Sequence, residues 1–289
     1  MFSAGEERSS QSGQEPVFGS GRRGGCWATG VSPCGGGRSH EHFITRGLWL
    51  ERTITVTGLP FSPQTAERSI DDLSSRSLCR DHNSQASVLD DAAIDMNNAL
   101  RRLSELQEAR TRVRGRIIQP VQFRIDGRLL ERWALKTVMN ISILNRSQLG
   151  SWRPPGWLAE VVFGRKSLPA GCGIALVTKV GENHQPGDQV DFAFGTRQGG
   201  AGPEMAMITL RRGFRFFLTW DVPIAKVAMT VDGEEYFGAS NALMPFRRWN
   251  ITDGARDLRL ALCFDWEGPS RRDPNVVRLR KKYKSPPRS

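Results

Sequence analysis

The amino-acid sequence predicts an α+β protein, with two helices in the middle of the chain and a mostly antiparallel β region after them. Three observations carry this. Apolar residues recur at helical spacing between residues 78 and 110 and again between 128 and 147. Short apolar runs separated by Gly, Pro and Asp fill residues 158–266. Ahead of the first helix, three of the five cysteines and three of the four histidines fall between Cys26 and His82.

Composition bounds the reading. At 289 residues and 38% hydrophobic content, the chain can build one large domain or two ordinary ones. The net charge of +11, with a pI near 10.1, favours a polyanionic partner, and nucleic acid is the commonest. The charge is uneven. The last 20 residues carry eight basic side chains against Asp273, so the body is only mildly basic and residues 270–289 form a basic tail. No apolar run approaches the roughly 18 residues of a membrane span. The first 30 residues lack an apolar signal core, and an odd cysteine count speaks against a disulfide framework. The expectation is a cytoplasmic protein with no membrane partner.

Taken in order, residues 1–25 are Ser, Gly, Gln, Glu and Arg with few apolar side chains, and read as disordered. Residues 26–38 hold Cys26, Cys34 and the Gly35–Gly37 triplet, a loop able to turn sharply. Residues 53–57 alternate Thr with Ile and Val, as a strand does, and residues 62–76 read as loop. In the helix over 78–110, Leu89, Ala93, Met96, Leu100 and Leu103 form one apolar face, with Ser87 and Asp90 as an approximate start signal. Cys79 and His82 are three residues apart, on one side of a helical turn, where they can share an ion. Residues 110–116 hold four arginines and read as the start of a linker. The second helix, over 128–147, shows Leu130, Trp133, Ala134, Val138, Ile141 and Leu144 as its apolar face, with Asp126-Gly127 as the turn before it. Seven strands are then expected, over 158–163, 173–180, 189–194, 205–210, 214–220, 225–231 and 258–266, with a hairpin turn at Asp232-Gly233. His184, Cys172 and Cys263 form no cluster in sequence, and the two cysteines read as core thiols.

The segments Glu41-His42-Phe43-Ile44-Thr45-Arg46-Gly47-Leu48 and Leu78-Cys79-Arg80-Asp81-His82-Asn83, after a cysteine pair, resemble the zinc-containing branch of the HNH (His-Me finger) endonucleases. The resemblance covers residues 26–90. It implies a zinc-stapled ββα, treble-clef-like finger, and with the residue patterns that follow it the chain reads as that finger with its long helix (26–115), a helix plus antiparallel β domain (116–269) and the basic tail. It implies a structural Zn²⁺ on Cys26, Cys34, Cys79 and His82. It also implies His42 as general base, with Glu41 and Asn83 completing a site for Mg²⁺ or another divalent cation that hydrolyses DNA phosphodiesters.

The residue types suit that chemistry. Histidine titrates near neutral pH and can take a proton from water. Oxygen ligands suit a hard cation, while thiolates suit zinc. The chain departs from the usual pattern in three places. Seven residues separate Cys26 from Cys34, His82 stands where a fourth cysteine is more usual, and His40 lies two residues from His42, able to replace Cys26 as a ligand. The alternative expectation is a non-catalytic zinc-stabilised module that binds nucleic acid or protein.

Overall fold

The computed structural model describes residues 25–59, 64–112, 121–144, 154–177, 189–195, 202–210, 214–231, 234–237, 248–252, 260–266 and 276–277. The expected disordered N-terminus, His184 and nearly all of the basic tail lie outside these residues.

The first half begins with a turn-rich knuckle over 26–38, then β1 (Glu41–His42), β2 (Thr53–Thr57), β3 (Ala66–Ser69) and β4 (Ser74–Ser75), and leads into α1 (Arg80–Thr111). The expected loop over 62–76 therefore contains two short strands. β3, Ala-Glu-Arg-Ser, has no apolar alternation to reveal it, because it is an edge strand held by its pairing with β2.

Helix α1 buries the expected face. Leu89, Ala93, Met96, Leu100 and Leu103 are all buried. Its start is earlier than Ser87. Cys79 is the N-cap, its sulfur accepting from the His82 backbone N–H at 3.5 Å, and Ser87 Oγ donates instead to the Ser84 carbonyl. A thiol in the place usually held by Ser, Thr, Asp or Asn hides the cap from a sequence reading.

The expected linker is followed at once by a strand, β5 (Val121–Asp126), with Phe123 and Ile125 buried. Asp126 is no turn residue. Its Oδ1 accepts from the backbone N–H of Arg128 and of Leu129, so it opens α2 (Gly127–Leu144). The predicted face of α2 is buried at Leu130, Trp133, Ala134, Val138 and Ile141, but Leu135, Lys136, Thr137, Met139, Asn140 and Ser142 are buried too. From Trp133 to Ser142 every residue of this helix is buried, so the polar residues there must find partners inside the protein.

The expected strand over 158–163 is a helix, α3 (Gly156–Val162). Leu158, Ala159, Val161 and Val162 are buried, a spacing that fits one helical face, and a short continuous apolar run does not separate helix from strand by itself.

The remaining strands are β6 (Gly173–Val177), β7 (Gln189–Gly195), β8 (Met205–Leu210), β9 (Phe214–Thr219), β10 (Ala228–Val231), β11 (Glu234–Phe237), β12 (Arg248–Thr252), β13 (Leu260–Asp265) and β14 (Val276–Val277). β10 and β11 form the hairpin that Asp232-Gly233 predicts. β12 was not expected from the sequence. It pairs with β13 in a four-stranded sheet of order β12-β13-β5-β14, where β5 runs parallel to both neighbours. A six-stranded sheet has the order β3-β2-β7-β8-β9-β6, antiparallel except at β2–β7.

The protein is thus α+β with mostly antiparallel sheets. The six-stranded sheet takes two strands from before residue 115 and four from after it, and one hydrophobic core runs through both segments. Within that core the knuckle, α1 and α2 meet. Trp27 donates from Nε1 to Asn140 Oδ1 on α2 at 2.9 Å, and the same oxygen accepts from Ser77 Oγ at 2.9 Å. Among the described residues no helix is long and apolar enough to cross a membrane.

Candidate metal centre

Four residues from three short stretches converge where the knuckle meets the start of α1. One ligand atom each from Cys26, Cys34, Cys79 and His82 lies within 4.8 Å of every other, and among the described residues this is the one group of His, Cys, Asp or Glu able to hold a metal ion. The knuckle reaches this point by folding on itself. Gly36 and Gly37 adopt φ of +69° and +71°, a region that side chains other than glycine rarely enter, and Gly35 passes against the Asp81 carboxylate with no room for a Cβ. A backbone bridge between Arg38 and Cys79, with Arg80 N–H donating to the Gly37 carbonyl at 2.9 Å, seats the knuckle against the helix start.

His82 points Nδ1 at the three sulfurs, at 3.4 Å from Cys26, 3.8 Å from Cys34 and 3.0 Å from Cys79. A tetrahedral zinc ion with Zn–S of ~2.3 Å and Zn–N of ~2.0 Å sets an S···N edge of about 3.5 Å, which these separations bracket. The other ring nitrogen, Nε2, is 2.8 Å from Ser32 Oγ. A proton on Nε2 donated to Ser32 leaves the Nδ1 lone pair facing the sulfurs, the arrangement that orients a ligating histidine.

Burial, reinforced by Arg165 and opposed by Asp81, holds the pKa of His82 below its ordinary value, so the ring is neutral. Burial pushes the Cys26 thiol up to about 12, partly offset by the backbone N–H groups of Cys79 and Ala28. At Cys79 burial also pushes upward, but the N–H groups of His82 and Gly35 and the Cys26 and Cys34 side chains outweigh it, and the net shift is downward.

The second half of the chain closes the site. Phe163, just past α3, packs edge-on against His82 with ring centroids 5.3 Å apart and touches Trp27 at 5.8 Å. Arg165 Nη1 donates to the Val31 carbonyl of the knuckle. Three soft thiolates and an imidazole suit zinc, and four protein ligands leave no coordination position open for a reactant.

The remaining expected residues lie elsewhere. His40 is exposed, and its Nε2 accepts from Arg76 Nε at 3.1 Å, so it does not replace Cys26. Glu41 points inward. Its carboxylate is 2.6 Å from Lys136 Nζ on α2, and Lys136 also reaches Asp90 Oδ2 on α1 at 2.8 Å. Asp90 Oδ1 accepts from Thr45 Oγ1 at 2.6 Å, and Thr45 accepts from Trp133 Nε1 at 2.8 Å. Burial raises the Glu41 pKa against the pull of Lys136. Burial opposes the charge on Lys136, but Glu41 and Asp90 together raise its pKa.

His42 is half-buried, 3.8 Å from Asp71, and burial with the nearby Arg46 lowers its pKa despite the opposing carboxylates of Asp71 and Asp90. Asn83 is half-buried in the first turn of α1, and its backbone N–H closes that turn on the Cys79 carbonyl at 2.9 Å. Among the described residues no hydrogen bond joins the Asn83 side chain to Glu41 or His42. Glu41 meets an ammonium group instead of the open cation site that the resemblance implies. Cys172 is buried and Cys263 half-buried, and neither forms a disulfide.

Sequence reasoning missed Lys136, Asp90, Ser32, Phe163 and Arg165. Lys136 was the most findable. It stands among Trp133, Leu135 and Met139, a setting that leaves its ammonium group in need of an internal partner. Comparison with protein-family models, with curated proteins and with solved structures finds no match.

Proposed function

We propose that the chain is a zinc-stapled module that docks on nucleic acid, with the metal holding the fold and taking no part in a reaction. The observation that carries this reading is the Cys26, Cys34, Cys79, His82 tetrahedron, which is complete in protein ligands. The pairing of β1 with β4 followed by α1, with the knuckle packed on the helix start, supports a ββα, treble-clef-like arrangement. Nucleic acid as the partner is supported by the net charge of +11 and by exposed Arg38, Arg76 and Arg80 around the knuckle.

A second reading is hydrolysis of DNA of the HNH type, with His42 as general base and Mg²⁺ as cofactor. It is favoured by one observation. His42 is neutral near pH 7, keeps part of its ring in solvent and is not a zinc ligand.

Two measurements test the pair. Zinc content and folding of the wild-type chain beside Cys79→Ala test the staple, with one zinc per chain expected in the wild type. Binding to duplex DNA at rising salt tests the partner. The docking reading expects affinity to fall linearly on a log–log plot against salt, without cleavage in Mg²⁺. Cleavage abolished by His42→Ala would move the second reading to first place.

A further inference from the structure

The cation implied for Glu41 can be tested against the residues that surround it. Glu41 and Asp90 approach from β1 and α1, two carboxylates in the arrangement that holds a divalent ion elsewhere in proteins. The space between them is filled. Lys136 Nζ stands 2.6 Å from Glu41 Oε1 and 2.8 Å from Asp90 Oδ2, and the lysine is only 2% exposed. The remaining Asp90 oxygen is taken by Thr45, which Trp133 in turn fixes.

We propose that Lys136 Nζ is the resident cation of this site, standing in the place of a divalent metal ion, so that the wild-type protein does not take Mg²⁺ or Mn²⁺ between Glu41 and Asp90. The proposal rests on the HNH-like reading of Glu41 and sharpens it, because it separates the zinc-stapled fold from the metal-assisted reaction.

Three physical arguments support it. Mg²⁺ needs six oxygen ligands at ~2.0–2.1 Å and keeps several waters, and the Lys136 ammonium group already occupies the position between Glu41 and Asp90 where they would gather. A divalent ion bridging the same two carboxylates would lie within a few ångströms of a fixed ammonium group, which repels it. The charge balance is also wrong for phosphate chemistry. A metal-assisted site presents surplus positive charge to the scissile group, whereas the single Lys136 ammonium group is already engaged by two carboxyl groups and offers none.

The experiment is an Mn²⁺ titration of the zinc-loaded full chain, read by the electron paramagnetic resonance of free Mn²⁺, on the wild type, Glu41→Gln, Lys136→Ala and the double variant. No saturable Mn²⁺ site is expected in the wild type. Lys136→Ala is expected to gain one site per chain, binding at least tenfold tighter than the wild type, and the double variant to lose it. One Mn²⁺ per wild-type chain, lost in Glu41→Gln, would overturn the proposal. So would a folded Lys136→Ala that binds none, since the two carboxylates would then not be a cation site at all. Should Lys136→Ala fail to fold, the wild type and Glu41→Gln decide the matter alone. Zinc measured in the same samples reports on the staple independently, so failure of one reading is distinguishable from failure of the other.

Discussion

Two clusters of charge-bearing side chains flank the start of this fold, and they solve the same problem in opposite ways. At the knuckle, Cys26, Cys34, Cys79 and His82 bring their ligand atoms within 4.8 Å of one another, a group able to hold a metal ion. At β1, Glu41 and Asp90 also approach each other, but α2 delivers Lys136 between them, 2.6 Å from one and 2.8 Å from the other. In the proposed reading the first cluster takes its ion from outside, and the second carries its own. Ligand softness agrees with that division. Thiolates bind zinc strongly enough to repay folding, whereas carboxylates hold hard cations more weakly and accept an ammonium group in exchange. Convergence of acidic or ligating groups is thus a poor guide to metal binding until every group pointing into the space is counted.

The comparison can be broken first at the staple. Stripping zinc with a chelator, or Cys79→Ala, is expected to unfold the knuckle and lower the melting temperature more than any other change considered, since structural zinc sites contribute ~10–16 kcal/mol in isolated fingers and the larger core here retains part of the fold. Circular dichroism melts with and without added zinc check this.

The second cluster breaks from within. Lys136→Ala leaves Glu41 and Asp90 facing each other with no counter-charge, and loss of one member of a buried ion pair costs about 3–5 kcal/mol. Denaturant unfolding measures it. Adding Glu41→Gln to Lys136→Ala is expected to recover much of the loss, because the uncompensated charge goes with it.

A pH experiment then distinguishes the two clusters. The folded-state pKa of Lys136 is raised above the unfolded value of 10.5. Its contribution to stability is therefore complete below pH 10.5 and is lost as pH rises through the higher folded value. The zinc cluster has the reverse dependence, since protons compete with the metal for thiolates, and it weakens as pH falls. Unfolding followed at both extremes should show an alkaline limb that Lys136→Ala flattens and an acid limb accompanied by zinc release. The smallest expected effect is at the entrance to α2. Asp126→Ala removes the cap that starts the helix carrying Lys136 and should cost about 1 kcal/mol, visible as a small shift of the denaturation midpoint.

The same contrast explains what could be read from the sequence. Cys79 and His82 at three-residue spacing, the loop carrying Cys26 and Cys34, and the apolar face of α1 are local patterns, and the structure brings all four ligands together although they span 57 residues. The strand β7 also follows its local alternation, and β8 and β9 are legible as short apolar runs. What remained hidden depends on tertiary partners. Lys136 lies off the apolar face read for α2, and its partners Glu41 and Asp90 come to it only through the tertiary fold. Glu41 reads as a metal ligand until Lys136 is placed beside it. Residues 158–163 read as a strand because a short apolar run has no internal evidence of its period, and only as a helix does it set Phe163 against His82. β3 and β12 exist through their neighbours β2 and β13 rather than through alternation of their own.

The most direct test of the account is the metal inventory of the purified full chain, dialysed against buffer containing both Zn²⁺ and Mn²⁺ and then against metal-free buffer, and measured by mass spectrometry of the elements. The account predicts one zinc per chain and no manganese. A folded chain that retains no zinc would contradict it, because the four converging ligands would then not be a metal centre.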